Sequence, residues 1–207
     1  MPFVRRDTAI PSAAAPPLSD ELAAYIAALA SRDAEARWQG ARALAGRAEA
    51  VAPLAVALGV EAIPRVREAI MTALMRIGNA ASVEALLPCL RSQDAGQRAA
   101  AIEALQGLPH EISPFLTALL ADGDPNVRIV ATELVRNFPA AEATRLLCGL
   151  LTAELHPNVC AAAIDVLAEV GTEDAIPVLE QCGRRFASTP FLPFAAAKAM
   201  ALISGKG

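Results

Sequence analysis

An arginine returns along this chain at a nearly fixed interval, and its neighbours return with it. Arg37, Arg67, Arg98 and Arg128 stand 30, 31 and 30 residues apart. An aspartate precedes three of them by four residues (Asp33, Asp94, Asp124), and an aliphatic residue follows each by seven (Leu44, Leu74, Leu105, Val135). A period of this length belongs to short supersecondary units, each burying its apolar face on the next, and not to one globular core. It defines an architecture and a broad kind of work, which is to hold something. It does not name what is held.

Composition decides which units are stacked. Hydrophobic residues make up 55% of the 207 residues but aromatics only 4%, and nearly a quarter of the chain is Ala. Ala is the best helix former and lets helices approach closely, so the chain reads as all-α. Ser19 or Asp20 caps a first helix running to about Ala30, with Leu22, Ile26 and Leu29 on one face and Tyr25 at its edge. This helix has no predecessor and caps the N-terminal end. Four copies then open on a helix-start signal: Asp33-Ala34, Asp94-Ala95, Asp124-Pro125 and His156-Pro157. An Asp side chain accepts from the free N–H groups of a first turn, and Pro suits the first helical position. The second copy has Ile63-Pro64 instead.

Three, six and seven places after the Arg column come small or aliphatic residues such as Ala101, Ala104 and Leu105, a spacing that keeps them on one helical face. A small column (Gly40, Ala101, Ala131, Ala163, Ala197, with Ile70 the exception) marks close helix approach. Turns follow at Gly46, Gly78, Gly107-Leu108-Pro109, Asn137-Phe138-Pro139 and Gly171. Second helices are predicted over Val51–Leu58, Val83–Leu90, Ile112–Leu120, Ala141–Leu151 and Ala175–Cys182. In the fifth copy Cys160 replaces the Arg. The sixth is a half-unit opening at Pro190-Phe191-Leu192-Pro193, with Phe194 in the Arg column, and it ends near Ile203 as a cap. The organisation is a Pro/Ala-rich tail over 1–18, a repeat domain over 19–203 and a short tail over 204–207.

Asp-Pro-Asn-Val-Arg-Ile-Val-Ala-Thr-Glu-Leu-Val, Asp124 to Val135, resembles the HEAT-repeat family, and in particular its short bacterial form in phycobilin lyase subunits. Asp94–Leu105 and His156–Leu167 are weaker copies, and the resemblance covers roughly residues 31 to 203. It implies a right-handed α-solenoid, here of about five helix pairs between terminal capping helices. It also implies a structural role for Asp33, Arg37, Arg67, Asp94, Arg98, Asp124 and Arg128, as helix caps and inter-repeat hydrogen bonds. The rival reading is a ligand-binding Arg stripe. By the same resemblance the second helices line the concave face. There Ala85, Pro88, Cys89, Ser113, Thr117, Ala118, Arg145, Cys148 and Gly149 would form a low-relief, nearly neutral trough for a partner helix or strand.

Catalytic signals are thin. His110-Glu111 resembles one of the His-Glu pairs by which deoxyhypusine hydroxylase, a HEAT protein, holds two irons. A di-iron site needs several convergent carboxylates and imidazoles, and the chain has two His. His110 then reads as a turn residue and Glu111 as a first-turn helix charge. HEAT-like DNA glycosylases use a basic channel lined with aromatics, whereas this chain has a net charge of −4, one Trp and one Tyr. Trp38 is expected to pack between the capping helix and the next repeat. The acidic balance, with only the Arg5-Arg6 and Arg184-Arg185 pairs, argues against nucleic acid. Cys89, Cys148, Cys160 and Cys182 read as buried or half-buried thiols in a reducing cytoplasm. Only His156 and Cys160 have the spacing of a base and nucleophile. No stretch is apolar enough to span a membrane. The residues therefore assign no catalytic, cofactor-binding or metal-binding group. The expected function is a non-catalytic interaction module or adaptor for a protein partner. The alternative, suggested by the phycobilin lyase resemblance, is a subunit that holds a tetrapyrrole or other cofactor for attachment to a protein.

Overall fold

The computed structural model describes residues 19–189 and 191–205. The predicted tail over 1–18, Pro190 and the last two residues lie outside them. Twelve α-helices and no strand occur among the described residues. They form five pairs, α2 (Ala34–Ala43) with α3 (Val51–Val60), α4 (Pro64–Ile77) with α5 (Ala80–Leu86), α6 (Ala95–Gln106) with α7 (Pro109–Leu120), α8 (Pro125–Val135) with α9 (Ala140–Ala153), and α10 (Pro157–Val170) with α11 (Ile176–Arg185). The pairs lie between α1 (Asp20–Ala28) and α12 (Phe191–Ser204). This is the expected α-solenoid.

First helices pack on first helices, α1 on α2, α2 on α4, α4 on α6, α6 on α8 and α8 on α10, with α10 against α12. Second helices form the other layer, with α3 on α5, α5 on α7 and α9 on α11. Between the layers lie fully buried side chains including Leu44, at the C-cap of α2, and Leu74, Leu105, Val135 and Leu167 from the later first helices. At about 25 cal/mol per Å² of apolar surface removed from water, burial of this recurring Leu/Val column favours the stacked arrangement. Gly40 faces α1 so closely that a Cβ there would sit 3.0 Å from both the Ala28 Cβ and the Tyr25 carbonyl oxygen. Gly46 and Gly78 turn with φ of +78° and +61°, a region open to Gly without strain.

Several expectations need correction. The second helix predicted over Val83–Leu90 stops at Leu86 and continues as a 3₁₀ turn from Leu87 to Arg91, because Pro88 has no N–H and its ring crowds the carbonyl four residues back. His110 lies in the first turn of α7, not in a turn before it. In α12 the expected small column is out of step by one. Ala197 is exposed, Ala196 is buried in its place, and Phe194 points to solvent at 71% exposure. The helix also runs through Ser204, past the predicted start of the tail.

Candidate functional site

The Arg column lies at the junctions between repeats. Arg37 donates from Nη1 to the Ser31 carbonyl at 2.9 Å, in the loop entering its repeat. Its Nε and Nη2 reach both oxygens of Glu61, at 2.6 and 3.1 Å, in the loop leaving it. Arg128 repeats this arrangement, with the Asp122 carbonyl at 2.7 Å on one side and Glu154 at 2.7 and 3.1 Å on the other. The middle copies do half as much. Arg67 meets Asp94 at 2.5 Å, and Arg98 meets the Ser92 carbonyl at 2.6 Å. Asp33, Asp94 and Asp124 each accept first-turn N–H groups as N-caps.

The glutamates belong to a column of their own that the recurring letters do not reveal. Six residues before each Arg-column position stand Ser31, Glu61, Ser92, Asp122 and Glu154. Each accepts, through its side chain, the N–H of the residue two places on, at 2.8–3.1 Å. Ser, Asp and Glu are interchangeable for that task, since each offers a short-range oxygen acceptor to the turn, so no single letter marks the column. Where it holds Glu, the helix that follows opens on Ile63 or His156 and lacks an Asp cap. The Arg37 hydrogen bond holds the Glu61 carboxyl below its ordinary range against the burial that would raise it. For Glu154 burial pushes upward, and the Arg128 bond with the His156 N–H outweighs it, so the net shift is downward.

In the fifth copy, Cys160 stands where the Arg would be, and its thiol donates to the Glu154 carbonyl at 3.7 Å, the acceptor the guanidinium would have taken. Arg185, from α11, supplies the missing cation to the end of α9, donating to the Leu151 and Thr152 carbonyls at 2.5 and 3.0 Å. Buried Cys182 lies beside the Cys160 thiol, and the nearby Arg185 charge favours its thiolate. The Cys160 thiol donates to the Glu154 carbonyl and not to His156, so the suggested base–nucleophile pair does not form among the described residues. His110 is exposed. Among the described residues no cluster of His, Cys, Asp and Glu is placed to hold a metal, and no helix is long and apolar enough to cross a membrane.

The nine trough residues divide by burial. Pro88, Thr117, Ala118, Arg145 and Gly149 are exposed, and Ala85, Ser113 and Cys148 are half-buried. Cys89 is a correction, because it lies in the core at 6% exposure, against Gln97 of α6. Between α7 and α9 the second-helix layer opens into a groove of about 460 Å³ lined by Thr117, Leu120, Arg145, Leu146, Gly149 and Leu150. Small side chains create it, and a Cβ added at Gly149 would meet nothing within 4 Å. Arg128 and Glu154 also belong to its lining. Elsewhere on the same layer α3 exposes Val56 and Val60, at 72% and 81%.

A repeat solenoid stapled at its loops defines the class of protein. The HEAT-repeat profile matches residues 22–106 and 112–189, and the chain belongs to the HEAT-repeat family. No characterised protein matches it significantly in sequence alone. Among solved structures, the archaeal HEAT-like repeats protein from Thermococcus onnurineus NA1 is 15% identical with a TM-score of 0.50, over 89% of this chain and 87% of that one. The complex of CpcE and CpcF of phycocyanin lyase from Nostoc sp. PCC7120 is similar at 20% identity and a TM-score of 0.45, over 99% of each chain. A designed armadillo repeat protein in complex with the peptide (KR)4 is similar at 18% identity and a TM-score of 0.46, over 88% and 99%.

Proposed function

We propose that the chain is a non-catalytic interaction module that holds a protein partner on its second-helix face, with the α7–α9 groove at the centre of the contact. The observation that carries this reading is the groove itself. It is largely apolar, with buried Leu120 and Leu146 beneath the small, exposed Thr117 and Gly149, and it is bordered by a cation, Arg145, that makes no ion pair among the described residues. Such a trough accepts the Leu or aromatic anchors of an amphipathic helix. Stacked repeats fix many weak contacts at once, so little conformational freedom is lost on binding.

The test is affinity capture from the native cell with wild-type bait and with a bait carrying Thr117→Glu, Ala118→Glu and Gly149→Glu. A protein held by the first and lost from the second supports the reading. Proteins retained equally by both baits count against it. A coloured small molecule on the bait would transfer the site to the cofactor-holding alternative.

A further inference from the structure

A second site lies on the other layer of the solenoid. Trp38, the only Trp of the chain, is half-buried on α2. The Arg42 and Arg65 guanidinium carbons lie 4.5 and 4.2 Å from the centre of its ring. The ring was expected to pack toward α1 as well as toward the next repeat, but Gly40 makes that first contact, and Trp38 instead walls a groove of about 320 Å³ between α2 and α4. The groove floor is small, with Ala69 and Ala73 among its residues, and Arg76 stands at its edge. Three guanidiniums thus meet one carboxylate, Glu68, in this lining. Arg65 is shared with Glu35 at 2.9 Å, while Arg42 and Arg76 have no carboxylate partner among the described residues. Guanidiniums held over an aromatic face keep their in-plane N–H donors free for an anion.

The adjoining groove, between α4 and α6, has the opposite sign. Glu68, Asp94 and Glu103 line it against a single Arg67, which Asp94 already engages. A long polyanion crossing the first-helix layer would be attracted by one groove and repelled by the next. A nucleic acid needs an extended basic stripe, which this surface lacks. A short run of carboxylates on a folded or extended polypeptide needs only the one groove.

We propose that the α2–α4 groove is a second docking site, which takes a short acidic segment of a protein partner through its side-chain carboxylates. It is independent of the second-helix face, so either site can fail without the other. Trp38 reports on it directly. The full chain is titrated at low ionic strength with a hexaglutamate peptide blocked at both ends, and Trp38 emission is read. The expected result is a saturable change that weakens about tenfold or more in Arg42→Gln and in Arg76→Gln, and also in Thr72→Glu, which adds a like charge to the groove. Helical circular dichroism should be unchanged in all three variants. Absence of a saturable change in the wild type, or equal affinity in the variants, overturns the proposal. Tighter binding of a single-stranded oligonucleotide than of the peptide also overturns it. A change in emission with protein concentration alone would overturn it too, by giving the groove to a second copy of the chain.

Discussion

At the loop edge Arg128 is held by a backbone carbonyl and both oxygens of a buried glutamate, while on the second-helix face beside it Thr117 is exposed and Gly149 faces open space. In the first region the guanidinium and the carboxylate are matched to each other and to the backbone inside the chain. The second leaves apolar floor and the Arg145 charge unmatched. Satisfied groups at partial burial contribute to stability and have little left to offer a ligand. Unmatched surface contributes little to stability and is open to a partner. The same 30-residue period therefore builds two surfaces with different tasks, and substitutions should separate them.

The largest loss of stability is expected from Glu154→Ala, which strips Arg128 of its anion and the Leu155 and His156 N–H groups of their acceptor. Loss of charged hydrogen bonds at such a site costs on the order of 2 kcal/mol. For a domain of this size that lowers the melting temperature by about 4–8 °C. An unchanged melt by circular dichroism would mean the junction does not depend on the staple.

The pH dependence follows from the same groups. Both Glu61 and Glu154 are held below their ordinary range in the folded chain. Their contribution is complete above the unfolded value of about 4.3, and it is lost as pH falls through the lower folded values. The melting temperature should be level from neutrality to about pH 5 and fall steeply below about pH 4. Glu61→Gln with Glu154→Gln should flatten that acid limb. A limb as steep in the double variant would place the acid sensitivity elsewhere.

Arg98→Ala should cost less than Arg128→Ala, about 1 kcal/mol, because Arg98 bonds one carbonyl and no carboxylate. Equal losses in the two variants would show that the carbonyl bond alone, not the glutamate, sets the strength of the junction. The smallest effect on stability is expected from Gly149→Glu. The new side chain enters open space, and replacing a mid-helix Gly gains up to about 1 kcal/mol. A lowered melt would show that the groove floor belongs to the core after all.

The solenoid was legible because Arg, Asp and Leu recur as letters, and a recurring letter at a fixed helical position is a recurring contact. Ser31, Glu61, Ser92, Asp122 and Glu154 were not legible. Their shared role is a hydrogen bond that three residue types can make, so the period is in the chemistry and not in the letter. At Pro88 the apolar pattern of Leu86, Leu87 and Leu90 continued, while the backbone could not continue as an α-helix. Trp38 was expected between the capping helix and the next repeat, yet Gly40 takes the close approach to α1, and the ring faces Arg65 of α4. The trough over Thr117, Arg145 and Gly149 was read from the absence of core residues at those positions. Cys89 was misplaced there because the 3₁₀ turn rotates it inward.

The decisive measurement is partner capture by Gly149→Glu set beside its melting curve. The expected result is a melting temperature at or above that of the wild type, with the partner lost from the bait. A stable variant that retains its partner in full would contradict it.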